Sequence, residues 1–327
     1  MMIKGSNILV TGGAGFVGSH LVDRLLHMGS RVVAYDNFSP FYTGKESNIA
    51  HHMDDKNFTL LREDILDLDK LTSAMKDIDF VIHEAAQPGV RYCIDHPEEA
   101  HRVNVTGTLN VLMAAKSSSV KHVVCASSSS VYGKPEYLPF DEKHPTNPNS
   151  PYAASKLAAE KYCLVYNEIY GVKTSVLRYF SVYGPRQRPD QVIRGFVHKI
   201  YHNQPPIIFG DGSQTRDFTF ISDIVNGTIS AVEHDEAAGK ILNVGSGNRI
   251  AIKDLVELLI KFMNKEGIIE PVYGERYAGD FPHTWADVST AKKVLGYRPK
   301  VTLDDGIKEL IRWYKTETHG TERRLIE

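Results

Sequence analysis

Short runs of β-branched and aliphatic residues recur along the first half of the chain, separated by longer amphipathic stretches. The runs Asn7–Thr11, Arg31–Asp36, Phe58–Arg62, Phe80–His83, His122–Ala126 and Thr174–Arg178 read as strands. Phe16–Met28, Ala100–Ala115 and Tyr152–Tyr170 carry helical periodicity between them. Strands separated by helices of this length imply right-handed crossovers and a doubly wound parallel α/β sheet of the Rossmann type. After Arg178 proline and glycine cluster, in Gly184-Pro185, Arg188-Pro189, Pro205-Pro206 and Gly210-Asp211-Gly212, and the alternation dissolves. The pattern predicts a doubly wound unit over 1–178 and a smaller, mixed α/β domain or cap over 179–327. Segments Ile221–Glu233 and Ile241–Val244, within about 217–245, are expected to return to the first sheet.

The first strand runs into Gly12-Gly13-Ala14-Gly15-Phe16-Val17-Gly18 and then a helix. Glycines at 12, 15 and 18 suit a tight turn, close approach to a pyrophosphate and tight helix–strand packing. The helix N-terminus, around Phe16 and Val17, turns unpaired N–H groups and a partial positive charge toward those phosphates. Asp36 closes the second strand 18 residues after Gly18, where a carboxylate binds ribose hydroxyls and repels a 2′-phosphate. The expected cofactor is NAD. Glu63-Asp64-Ile65 follows another strand and either lines the adenine or presents solvated loop acids.

Tyr152 and Lys156 lie four residues apart at the start of a predicted helix, so both project from one face. A tyrosine of pKa about 10 is a poor base at neutral pH, and a nearby ammonium favours its phenolate. Such a phenolate takes a substrate hydroxyl proton as hydride leaves the same carbon. The serine run Ser127–Ser130 ends the predicted strand His122–Ala126, at the strand end where open α/β sheets bind ligands.

Composition narrows the function classes. The chain has 327 residues and 36.6 kDa, with 38 basic against 40 acidic residues and a net charge of −2, so it lacks the footprint of a nucleic-acid binder. No apolar run approaches the roughly 18 residues that span a bilayer. Met1-Met2-Ile3-Lys4-Gly5 enters a strand at once, leaving no room for a signal peptide. Cys93, Cys125 and Cys163 are too scattered for a disulfide framework or cysteine zinc site. The expectation is a cytoplasmic protein with neither membrane nor nucleic-acid partners.

Taken in order, these motifs resemble an extended short-chain dehydrogenase/reductase of the nucleotide-sugar epimerase/dehydratase family. The resemblance rests on the glycine loop, His83-Glu84-Ala85-Ala86-Gln87, Ser128-Ser129-Ser130-Val131-Tyr132-Gly133, Pro151-Tyr152-Ala153-Ala154-Ser155-Lys156, Arg178-Tyr179-Phe180, Gly210-Asp211-Gly212 and Arg216-Asp217. It implies Ser128 as the catalytic serine, Tyr152 as general base and Lys156 as its partner on the nicotinamide ribose. It also places Ala85 and Ala86 by the cofactor, Arg216 on the nucleotide diphosphate and Phe209 on the uracil. Asn104 matches an asparagine that orders the site or serves an ordinary structural role. The helices over 100–115 and 152–170 resemble those that pair family subunits, implying a homodimer, although those stripes equally suit a sheet cover.

Within the family, dehydratases and decarboxylases place an acid in the serine segment, where this chain has Ser129 and Ser130. That implies a UDP-sugar 4-epimerase, with hydride and proton removed and returned at C4 through a 4-keto sugar. Ser181 stands where glucose epimerases usually have Asn. The run Ser181-Val182-Tyr183-Gly184-Pro185-Arg186-Gln187-Arg188-Pro189, with Pro88-Gly89-Val90-Arg91-Tyr92, looks more like UDP-glucuronate 4-epimerases. Arg188 then offers a fork to the sugar carboxylate; otherwise Arg186 and Arg188 bind phosphate or exposed acids. Thr284 matches a gatekeeper that leaves N-acetylhexosamines open. Asp280 matches a substrate-binding aspartate, but the arginine expected three residues before it is Tyr277, with Arg276 one position early. Glu84 replaces the usual leucine of His-Leu-Ala-Ala, without a functional account from the sequence. His83-Glu84 lacks the second histidine of a zinc-protease helix, and His51, His52 and His96 have no partners at ligand spacing, so no metal is expected. A nucleotide-sugar oxidoreductase or dehydratase remains the second expectation, and an NAD-sensing binding protein the third.

Overall fold

The computed structural model describes residues 3–275 and 282–324. Six strands build most of the central sheet: β1 (Asn7–Thr11), β2 (Arg31–Tyr35), β3 (Phe58–Leu61), β4 (Phe80–His83), β5 (His122–Ser128) and β6 (Thr174–Tyr179). The strand Ile241–Val244 joins beside β6, giving the order Ile241–Val244, β6, β5, β4, β1, β2, β3. Every pairing is parallel. Such a sheet needs cover on both faces, which explains strands that read as continuous apolar runs.

Successive side chains point to opposite faces. Ile8 and Val10 pack with Leu21, Leu25, Ile224 and Ile229, from the helices Phe16–His27 and Ile221–Glu233. Leu9, Val81 and Val123 pack on the other face with Val111, Leu112 and Cys163, from Gly107–Ser117 and Pro151–Tyr170. The chain order reverses between β1 and β4, so a crevice opens above their C-terminal ends, at Thr11 and His83.

The predicted helix over 100–115 is instead broken into Pro97–His101, a π-helical turn at Arg102–Thr106, and Gly107–Ser117. Apolar periodicity cannot tell a wide turn from an ordinary one. The wide turn carries Asn104 into the interior, where Nδ2 donates to Gln87 O (3.1 Å) and Ser155 Oγ (2.9 Å), while Oδ1 accepts from Gln87 N (2.7 Å). Strand β5 also extends two residues past the predicted Ala126, into the serine run.

The helix Pro151–Tyr170 starts where its sequence allows. Ser150 Oγ accepts the Ala153 N–H, Pro151 occupies the first turn, and Gly171 ends it at φ 68°. Beyond β6, short pairs replace long strands: Val182–Tyr183 with Thr219–Phe220, Thr215–Arg216 with Ile250–Ala251, and Ile207–Phe209 with Val272–Gly274. Among the described residues no helix is long and apolar enough to cross a membrane.

Candidate active site

The glycine loop lies at the β1 end of the crevice. Gly12 has φ +67°, and a Cβ there would stand 2.8 Å from Ala85 N. A Cβ on Gly18 would collide with the Gly12 carbonyl oxygen and lie 2.9 Å from Gly13 Cα. The loop is therefore backbone packed on backbone, open to a pyrophosphate and closed to side chains. Gly18→Ala is expected to destabilise the protein by about 1–3 kcal/mol and to lower dinucleotide retention, read from the dinucleotide released on denaturation. Unchanged retention would contradict this role of the loop.

Asp36 is buried just beyond β2, with Oδ2 accepting from Ala14 N (3.1 Å) and Oδ1 from Phe38 N (2.8 Å). Its remaining lone pairs suit ribose hydroxyls. Asp64 is tied beside it, since Asn37 Nδ2 donates to Asp64 Oδ2 at 3.0 Å, and Ile65 is buried against Gly107. Two neighbours were invisible in the sequence. Lys45 Nζ lies 3.8 Å from Asp36 Oδ1, and Tyr42 Oη accepts the Phe16 N–H at 3.2 Å at the helix N-terminus. Burial pushes Tyr42 up to about 12, so it stays a neutral phenol there. Val17 packs against the core behind this loop.

At the β4–β6 end, His83 Nδ1 lies 2.7 Å from Thr11 Oγ1 and Nε2 lies 3.0 Å from Thr108 Oγ1. Thr108 already donates to Asn104 O (2.6 Å), which places the imidazole proton on Nε2. Burial, then the Lys156 charge, lowers His83 to about 3, so it remains neutral. Both ring nitrogens are occupied, which suits a strand-end brace. Ala85 N donates to Thr11 Oγ1 at 3.2 Å, and Ala86 follows it along the crevice.

Ser128 ends β5, and its Oγ accepts from Ser130 N (3.2 Å) and Ser130 Oγ (2.7 Å). Tyr152 reaches it from the first turn of Pro151–Tyr170. Burial raises the Tyr152 phenol, while the Arg188 charge and the Ser128 hydrogen bond oppose that rise. Arg188, from the second half of the chain, is thus the leading cation acting on the phenol. Lys156 itself is 5% exposed and its ammonium joins no salt bridge among the described residues. Burial lowers it, and Glu84 leads the groups that support its charge. A buried ammonium at this crevice fits ribose hydroxyls, so glycine loop, Asp36 and Lys156 together fit a nicotinamide dinucleotide.

Below Lys156 lies a buried ion pair. Glu160 Oε1 accepts from Arg178 Nε (2.9 Å) and Ser127 Oγ (2.5 Å), and Oε2 accepts from Arg178 Nη2 (2.7 Å). The Arg178 guanidinium also lies 4.6 Å from the Tyr132 ring centre. Sequence reasoning treated Arg178 only as part of a motif and missed Glu160.

The substrate-side residues are spread over several short elements. Arg188 makes a bidentate pair with Asp190 at 3.0 Å for both contacts, and Arg186 Nη1 lies 2.8 Å from Asp23 Oδ2. Ser181 follows β6, and its carbonyl accepts from Thr219 N. Phe209 ends Ile207–Phe209 with the Arg91 guanidinium 5.2 Å from its ring centre. Arg216 lies on Thr215–Arg216, and the buried Thr284 is hydrogen-bonded to both neighbours: its N–H donates to Thr215 O (3.0 Å) and its Oγ accepts from Asp217 N (3.2 Å). Asp280, with Arg276 and Tyr277, lies outside the described residues.

One expectation needs correction. His51 and His52 do have a partner: both Nε2 atoms reach Asp23 Oδ1, at 3.1 and 2.7 Å, and the three ligand atoms lie within 4.8 Å. The pairing spans 28 or 29 residues, so spacing alone could not reveal it. Arg186 already supplies positive charge to that carboxylate.

With this geometry in place, comparison with known proteins is specific. A family model described as GDP-mannose 4,6 dehydratase matches residues 9–310. A UDP-glucuronate 4-epimerase of Thermodesulfobacterium geofontis is 39% identical over 313 residues, covering 94% of this chain and 95% of its own. The crystal structure of UDP-glucuronic acid 4-epimerase from Bacillus cereus, with UDP-glucuronic acid and NAD, superposes with a TM-score of 0.89 at 37% identity, covering 95% of this chain and 99% of that one. The UDP-N-acetylglucosamine 4-epimerase of Methanobrevibacter ruminantium M1, with UDP-N-acetylmuramic acid, gives 0.90 at 33% identity, covering 96% and 99%.

Proposed function

The chain belongs to the extended short-chain dehydrogenase/reductase family of nucleotide-sugar epimerases and dehydratases, and from that we propose that it epimerises UDP-hexoses at C4 through a 4-keto intermediate, UDP-glucuronate ahead of UDP-glucose and UDP-N-acetylglucosamine. The observation that carries the reading is the serine segment. Ser130 donates to Ser128 Oγ, in the stretch where family dehydratases carry an acid. Water elimination lacks its proton donor there, whereas C4 epimerisation needs only a reversible base.

The glycine loop, Asp36 and Lys156 would hold NAD, which would supply a reversible hydride acceptor for C4. The chain's own residues handle the proton. Tyr152 as phenolate takes the O4 proton, while Ser128 holds the same oxygen and is itself oriented by Ser130. The 4-keto sugar turns about its diphosphate link, held by Arg216 with uracil on Phe209, and Tyr152 returns the proton. Ser181 and Thr284 border the sugar. The unit over 1–178 holds the dinucleotide, and most of 179–327 holds the nucleotide sugar.

Arg188 supports glucuronate. Its bidentate grip on Asp190 is the fork geometry that a sugar carboxylate requires, and its charge already reaches Tyr152. A homodimer fits the apolar stripe Tyr162, Val165 and Ile169, exposed by 39%, 40% and 67% on Pro151–Tyr170. A reducing cytoplasm suits three buried cysteines, all free thiols.

The test is incubation with UDP-glucuronate, UDP-glucose and UDP-N-acetylglucosamine without added NAD, with products resolved by NMR. The C4 epimer of UDP-glucuronate is expected, with no net change in reduced dinucleotide. Arg188→Ala is expected to lower kcat/KM for UDP-glucuronate by about 10- to 100-fold more than for neutral sugars, the worth of a charge-assisted hydrogen bond, because its effect on Tyr152 is shared by every substrate. A dehydrated sugar, or stoichiometric NADH, would replace this reading with dehydratase or oxidoreductase chemistry.

A further inference from the structure

Glu84 follows β4 directly, and its backbone packs on Gly12 of the glycine loop. Its side chain forms a chain of contacts with residues distant in sequence. Tyr179 Oη, at the end of β6, lies 2.7 Å from Glu84 Oε1 and 2.7 Å from Thr228 Oγ1. Thr228 Oγ1 in turn lies 2.8 Å from Ile224 O, one turn back on the helix Ile221–Glu233. Each hydroxyl owns one hydrogen, so the contacts admit two arrangements. With Glu84 anionic, Thr228 donates to Tyr179 and Tyr179 donates to Glu84. With Glu84 protonated, Glu84 donates to Tyr179, Tyr179 to Thr228 and Thr228 to Ile224 O. Gain or loss of one proton at Glu84, with rotation of the Tyr179 and Thr228 O–H bonds, interconverts them, and the three side chains stay linked in both.

We propose that Glu84, Tyr179 and Thr228 form a reversible proton store at the C-terminal ends of the central strands, and that Glu84 is a positioning residue whose charge acts on Tyr152 and Lys156. The inference rests on the epimerase reading for its role and on the hydrogen-bond chain for its existence. The stored proton comes from, and returns to, bulk water.

The groups facing the carboxyl are Tyr179 from β6 and Tyr152 and Lys156 from Pro151–Tyr170, with Cys125 of β5 acting on Tyr179. Burial pushes Glu84 up to about 7, opposed by the Tyr179 hydrogen bond and the Lys156 charge. Both states are therefore populated near neutral pH. The influence is mutual: anionic Glu84 supports the Lys156 ammonium and disfavours the Tyr152 phenolate. Neutral Glu84 relieves the phenolate. A leucine at this position carries no charge and cannot exert either effect.

Infrared titration of the purified holoenzyme, read as wild type minus Glu84→Gln, tests the store without turnover. The expected difference is a protonated-carboxyl band that disappears as pH rises, with a midpoint near neutrality. Tyr179→Phe removes a bond to the carboxylate, so the band should persist to higher pH. In kinetics, Glu84→Gln should move the acid limb of the kcat profile to lower pH, because Tyr152 loses an opposing charge, and Glu84→Asp should restore part of the shift. A difference spectrum flat across pH, or a Tyr179→Phe midpoint that does not move, overturns the proposal. Absence of epimerisation with the infrared titration intact would instead overturn the reading of function and leave the store standing.

Discussion

Tyr152→Phe is expected to lower kcat by about 10²- to 10⁴-fold, the range for losing a general base, while the dinucleotide stays bound. The substitution removes one oxygen and keeps the ring, so the packing of Pro151–Tyr170 is unchanged. What disappears is the atom that Ser128 hydrogen-bonds and that Arg188 biases toward ionisation. Those two influences work against burial, which by itself keeps the phenol protonated and inactive. Lys156 would still anchor the dinucleotide, so the released cofactor should match wild type. Retention of full activity would remove Tyr152 from the mechanism, and loss of both activity and cofactor would point to a structural role.

Glu160→Ala is expected to destabilise the fold by about 3–5 kcal/mol, the range for stranding one member of a buried ion pair. Glu160 and Arg178 have side chains only 1% and 2% exposed. Arg178 would be left with the Tyr132 face and no carboxylate, and Ser127 would lose its acceptor. Denaturant unfolding of the single variant measures the loss. Pairing it with Arg178→Met removes the stranded charge and should recover much of the stability, as buried pairs exchanged for apolar residues often do. A single variant within about 1 kcal/mol of wild type, a surface-pair value, would show that water reaches the guanidinium. Glu160 also supports the Lys156 charge, so the double variant should keep its fold yet bind dinucleotide less well.

The legible parts of this protein share one property. Gly12, Gly15, Gly18 and the following helix are neighbours in sequence, and steric limits on a few consecutive residues dictate their shape. Tyr152 and Lys156 are likewise held on one helix face by the helical period alone. Ser150, Pro151 and Gly171 mark the ends of that helix in any context. Asp36 required one step more, a strand of known length after a helix of known length. For the same reason the parallel sheet could be inferred, since strands separated by helices have few ways to cover both faces.

The failures share the opposite property. The π-helical turn at Arg102–Thr106 arises because Asn104 finds Gln87 and Ser155 inside, and Ser155 is 51 residues away. Asp23 with His51, His52 and Arg186 meets across loops whose approach no spacing encodes. Arg91 reaches Phe209 only because the later segments fold back over the crevice.

The sequence by itself determined the βαβ alternation, the phosphate loop, the ribose acid and the tyrosine–lysine pair, because each is local geometry. Only the tertiary structure decided what surrounds them. Glu84 and Tyr179 are 95 residues apart and meet because the sheet order puts β5 alone between β4 and β6. Strand order follows from burying both faces of the whole sheet at once, a collective outcome that no short stretch of residues contains. The charges acting on Tyr152 and Lys156 therefore became visible only after the chain was folded.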